Sequence, residues 1–124
     1  MHTRLALLVV VVLLVGVAFV AGCGKKADEN RPVADMRVEA EKMDAATLRE
    51  NAKVYKDALQ AKMAELNKVK EQIKPDELLT EKGIELQKKS AEISASIGKL
   101  RERLQVYLDQ LAKKGEDITD LKVN

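Results

Sequence analysis

One thiol, one imidazole and a scatter of carboxylates are the groups in this 124-residue chain that could do chemistry. The imidazole, His2, lies at the extreme N-terminus. The only cysteine, Cys23, comes after a long apolar run, so neither a metal-ligand set nor a nucleophile–base pair can be assembled from the two. A single cysteine also leaves no partner for an intrachain disulfide. Glu77 and Glu81 fall at helical spacing in a charged stretch, where nothing desolvates a carboxyl and raises it toward acid–base use. Glu116, Asp117 and Asp120 lack the glycine and terminal glutamate of a calcium loop and read as solvated tail charges. No glycine-rich phosphate loop is present. These residues imply a protein that is not an enzyme, with no metal and no small-molecule substrate.

Cys23 itself remains, and its surroundings say how it is used. Met1 to Arg4 form a short basic start, and residues 5–20 are an uncharged run of Leu, Val, Ala, Gly and Phe, the outline of a secretory signal. Val20-Ala21-Gly22-Cys23 closes that run. The motif resembles the lipobox of bacterial lipoproteins, in which an aliphatic residue and two small residues precede an obligatory cysteine; Val20 stands where leucine is commoner. The resemblance covers the leader alone. It implies a diacylglyceryl thioether on the Cys23 sulfur, cleavage between Gly22 and Cys23, and acylation of the new amino group with palmitate-type chains. It also implies the cell envelope as the location, facing the periplasm or exterior. Gly24, rather than aspartate, after the cysteine favours the outer membrane in a host with two. The lipid bilayer is then the first partner, and no cofactor beyond the covalent lipid is expected. An uncleaved anchor stays open, because residues 5–24 carry no charge and about 20 such residues can span a bilayer. So does an ordinary signal peptide.

Whatever Cys23 anchors must be carried by the elements after it. Residues 23–34 are polar and punctuated by Gly24 and Pro32, which predicts a flexible tether. From residue 35 to 74 there is neither Gly nor Pro, and apolar residues recur at a mean spacing of about 3.7 from Met36 to Ile73, which predicts one helix capped by Asp35. Pro75 ends it, and residues 75–78 form the turn. A second helix is expected over residues 79–114. Leu79, Gly83, Leu86, Ser90, Ile93, Ile97, Leu100, Leu104, Tyr107 and Leu111 alternate steps of four and three there, a heptad seam. Lys113 and Lys114 suit a helix C-terminus and Gly115 its cap, leaving residues 116–124 as a tail.

The fold class expected is therefore all-α: two long helices in an antiparallel coiled-coil hairpin spanning residues 35–115. Placing Ile73 opposite Leu79 aligns Leu66 with Leu86, Leu59 with Ile93, Tyr55 with Ile97, Leu48 with Leu104 and Ala45 with Tyr107. Each tyrosine then meets small residues, although two heptad-like patterns match in more than one register. The assembly seam is assigned to Leu59, Leu66, Ile93, Ile97, Leu100, Leu104, Tyr107 and Leu111. Val106 and Leu108 flank Tyr107 and widen the apolar patch, which could take a neighbouring chain or the tail through Ile118, Leu121 and Val123.

Composition agrees with rods rather than a thick core, since 34% of residues are charged and 2% aromatic. Losing Arg4 with the leader lowers the net charge from +2 to +1. With both signs interspersed and few rings to stack bases, nucleic acid is excluded as a partner. The function expected is a membrane-anchored envelope lipoprotein whose hairpin has a structural or protein-interaction role, with a second copy or an envelope protein as partner. The alternative is a periplasmic holdase-type chaperone that grips unfolded chains, an analogy of shape alone.

Overall fold

Asp44 divides what the apolar spacing alone would join into one helix. A computed structural model describes residues 26–123 of the chain, and in it α1 (Val33–Glu41) stops before residues 42–44 and α2 (Ala45–Gln72) starts after them. Asp44 is extended, with φ −76° and ψ 169°, and its carboxylate accepts a hydrogen bond from the Thr47 amide at 2.8 Å. Short polar side chains gain more from capping exposed amides than from a place inside a helix, which is why the break falls there without Gly or Pro. Contacts with Thr47, first the side chain and then the backbone, hold the Asp44 carboxyl below its ordinary range. The helix expected over residues 35–74 is thus corrected to two. Its N-cap is not Asp35 either, because α1 starts at Val33 directly after Pro32.

α2 ends before Pro75, which opens a single 3-10 turn, Pro75–Glu77, and α3 (Glu81–Lys113) comes next. Thr80 is its N-cap, so the helix expected from residue 79 begins at Glu81: the Thr80 hydroxyl accepts from the Gly83 amide at 3.1 Å and donates to the Glu77 carbonyl at 2.6 Å. Gln87 Nε2 donates to the Leu78 carbonyl at 2.9 Å. The connection thus climbs the first turns of α3, and a Cβ on Gly83 would lie 1.9 Å from the Glu77 carbonyl oxygen. Thr80→Ala is expected to cost about 1 kcal/mol as a lost cap, and Gly83→Ala about 1–3 kcal/mol because backbone must move. Urea unfolding of the two variants checks both.

α2 and α3 pack along one another as a helical hairpin, the largest interface in the fold. Their register differs from the expected one. Tyr55 does not face Ile97 but lies against Tyr107, ring centroids 5.6 Å apart at 43°. Leu59 borders a cleft together with Leu104 and Leu108. The slip from Ile97 to Tyr107 is ten residues, a heptad plus a step of three, so another seam position meets Tyr55 at a different height. The pairing of Ile73 with Leu79 fails with it, since Leu79 is 93% exposed.

The core sits at the end of the hairpin away from the connection. There Leu48, Ala52, Tyr55 and Leu59 of α2 meet Leu100, Leu104, Tyr107 and Leu111 of α3, with Met36 and Ala40 of α1 and Leu121 of the tail. α1 packs on α3, so this end is a three-helix arrangement and not a bare pair. Gly115, at φ +74°, reverses the chain after α3, and the Glu116 amide returns to the Leu111 carbonyl at 3.1 Å. The tail then runs back along α2 and includes a 3-10 turn, Thr119–Leu121. Toward the connection the buried apolar side chains are only Val69 and Ile93 among the described residues.

Candidate anchoring and docking sites

Cys23 and the cleavage position Gly22 lie outside the described residues, and the chain enters view at Lys26. The segment that leads from there to α1 is not a loose tether. The Tyr55 hydroxyl accepts from the Asp28 amide at 3.1 Å and donates to the Asp28 carbonyl at 3.3 Å. Lys99 Nζ donates to Asn30 Oδ1 at 3.3 Å, and Arg103 Nε donates to the Arg31 carbonyl at 3.0 Å. Arg103 is largely buried and spends a second donor, Nη1, on the Lys99 carbonyl at 2.9 Å, so its position is fixed from both sides. The Arg31 guanidinium in turn binds Glu39 on α1. The flexible tether expected over residues 23–34 is corrected within its described part: residues 28–31 are clasped against the waist of the hairpin and α1 begins at Val33. Tyr55→Phe is expected to cost about 0.5–1.5 kcal/mol and to lower the hydrogen-exchange protection of the Asp28 amide.

Of the assigned seam, Leu59, Ile93, Leu100, Leu104, Tyr107 and Leu111 are buried, and Leu66 and Ile97 are half-buried. Burial, and next the neighbouring Tyr55, raise the Tyr107 phenol above its ordinary pKa, with Arg31 opposing them, so the ring stays neutral at physiological pH. Val106 and Leu108 prove to be as buried as the seam. Val106 borders α1 beside Arg37 and Glu41, while Leu108 meets the tail beside Ile118. The heptad pattern gave no sign of Arg103, a charged residue between two seam positions. The separate role of α1 had only a weak signal, the apolar pair Met36 and Ala40 one turn apart on a segment that reads as part of a longer helix.

The tail acids are not merely solvated. Asp120 pairs with Arg49 at 3.1 Å and its carbonyl takes Lys56, while Asp117 binds Thr119 and has its carboxyl lowered by that contact. These contacts hold the tail beside a shallow cleft of about 250 Å³ lined by Leu59, Leu104, Leu108, Ile118, Arg101 and Lys122 among others. At the opposite end, around the connection, Leu78, Leu79 and Ile84 are 41%, 93% and 56% exposed.

No protein-family model, curated protein or solved structure matches this chain. Among the described residues no group of three or more His, Cys, Asp or Glu is placed to hold a metal ion, and no helix is long and apolar enough to cross a membrane.

Proposed function

We propose that this chain is a bacterial envelope lipoprotein, cut before Cys23 and anchored by acyl chains on that sulfur, whose helical hairpin serves a non-catalytic structural or protein-interaction role. The observation that carries this reading is the lipobox-like Val20-Ala21-Gly22-Cys23, which sets the only thiol of the chain directly after a basic start and an apolar run. The clasp on residues 28–31 says where such an anchor would hold the hairpin. Asp28 is five residues beyond Cys23, a reach of at most roughly 18 Å at 3.3–3.6 Å each. A lipid on Cys23 would hold the hairpin waist close to the bilayer surface and leave the connection end free to meet a partner.

The docking role is preferred to a holdase. Gripping an unfolded chain takes a broad apolar surface, whereas the exposed large aliphatics among the described residues are Val38 on α1 and the three at the connection. Mass spectrometry of the N-terminus of the native protein tests the anchor. The expected first residue is Cys23 bearing diacylglyceryl; a chain that retains Met1, or one that begins at Cys23 with a free thiol, overturns the proposal.

A further inference from the structure

Side chains alone hold the tail to the helices. Past Glu116, whose amide returns to the Leu111 carbonyl, no backbone hydrogen bond among the described residues joins the tail to a helix, and the bond from the Leu121 amide to the Ile118 carbonyl at 2.9 Å is internal to it. Two cations of α2 make the polar ties. Arg49 Nη1 donates to both carboxylate oxygens of Asp120 at 3.1 Å, Arg49 Nη2 to the Asp117 carbonyl, and Lys56 Nζ to the Asp120 carbonyl. The next side chain, Leu121, is 1% exposed and enters the core.

These contacts are the kinds by which a surface recognises a peptide. Bonds to two backbone carbonyls take any residue type, the carboxylate bonds require an acid, and the buried place after it requires an aliphatic side chain. The charges agree. The tail carries Glu116, Asp117 and Asp120 against Lys122, and among the helix side chains lining the two clefts beside it Arg101 is the one charged group. The Asp120 side chain is 59% exposed, so its bonds with Arg49 are open to competition from salt and from other carboxylates. Beyond Lys122 and Val123 the seat continues as an open cleft of mixed lining along Gln60, Met63, Ala64 and Asn67 of α2, where a longer segment gains contacts.

We propose that this seat on α2 and α3 is a peptide-docking site that the chain keeps filled with its own residues 117–123, and that its partner is a segment of the same chemistry, an acidic residue followed directly by a large aliphatic one. Such docking rests on the interaction role in the proposed function and not on the lipid. A ligand of that kind remakes the bonds that the tail gives up, so displacement is opposed chiefly by the effective concentration of the tail, on the order of millimolar for a short linker. The tail is thus an autoinhibitory strap hinged at Gly115.

Two measurements on the full chain test it. Hydrogen exchange of the parent is expected to show the Leu121 amide opening in a local step, well before the Leu104 and Tyr107 amides. Exchange of all three only through global unfolding would overturn the proposal. In the second, Asp120→Ala with Leu121→Ala empties the seat, and a labelled peptide of residues 116–124 is expected to bind this variant at least about tenfold more tightly than it binds the parent, whose own tail competes. Adding Arg49→Gln should then weaken the peptide about tenfold. A variant with parental helical circular dichroism that ignores the peptide, or binding indifferent to Arg49, would equally overturn it. If the variant loses its helices, exchange on the parent decides alone. The N-terminal mass of the same preparation reads the lipid separately, so failure of the anchor and failure of the docking are told apart.

Discussion

Cells producing the Cys23→Ser chain are expected to incorporate no labelled palmitate into this protein, whereas the parent chain is labelled. The effect should be all or none, because Cys23 is the only thiol in the sequence and a serine hydroxyl can neither form the thioether nor match a thiolate as a nucleophile. Without the thioether the lipoprotein peptidase has no substrate, so the variant should also keep residues 1–22 and migrate as a longer precursor. The difference in anchoring is large. A single acyl chain gives a membrane association constant of only about 10⁴ M⁻¹, while each further buried CH₂ adds about 0.8 kcal/mol, so two or three chains hold a protein stably. Palmitate label on the Cys23→Ser chain, or an unlabelled parent, would refute the assignment of Cys23.

The helical class and the buried faces were legible in the sequence because they depend on local periodicity. Leu100, Leu104, Tyr107 and Leu111 fall on a seam by spacing alone and are all buried. The register was not legible for the same reason. A slip of ten residues, a heptad plus three, moves from one seam position to another, so Tyr55 against Ile97 and Tyr55 against Tyr107 satisfy one pattern. What decides between them is nonlocal: the length of chain that the connection uses in climbing α3, and the need of α1 and the tail for room on Val106 and Leu108. The break at residues 42–44 did have a signal. Met43 and Leu48 flank Asp44 at the two staple positions of a helix start, and both join the core. The clasp on residues 28–31 had none, since it is made by side chains from Tyr55, Lys99 and Arg103, far away in sequence. Polar composition correctly marked that segment as lying outside the helices and wrongly marked it as free.

The uneven core bears on how anchor and partner sites are connected. Interactions concentrate where α1, α2, α3 and the tail converge, and thin out toward the connection, where two buried apolar residues and the turn's hydrogen bonds hold the arm. Local opening tracks the density of buried contacts, so the connection end is expected to exchange its amides faster than the waist. The exposed turn therefore sits on the less stable end of the rod, and the clasp on the more stable one. A substitution at the exposed turn leaves the fold intact, and one in the core does not.

Tyr107→Ala should show the second of these most strongly, with a loss of about 3–5 kcal/mol, the range for deleting a large buried aromatic ring. Tyr107 is 1% exposed and packs on Tyr55 across the hairpin, while the residues on either side of it face α1 and the tail. Removing its ring opens a cavity that three elements border, and none can close it without leaving the others. Set against a typical domain stability of about 5–15 kcal/mol, the loss takes a large share, and at an m-value of about 1–3 kcal/mol per molar urea it lowers the midpoint by roughly 2 M. Tyr107→Phe keeps the ring and should stay within about 1.5 kcal/mol of the parent. Leu79→Asp, on exposed surface, should stay within about 0.5 kcal/mol. The alanine variant should also lose the clasp, because Tyr55 then lacks the neighbour that fixes its ring while its hydroxyl holds Asp28. Cleavage after Glu29 by a glutamate-specific protease should therefore accelerate in Tyr107→Ala under native conditions and not in Leu79→Asp. Equal cleavage in the two would mean that the clasp stands without the aromatic pair, and that the segment leading to Cys23 is held by Lys99 and Arg103 alone.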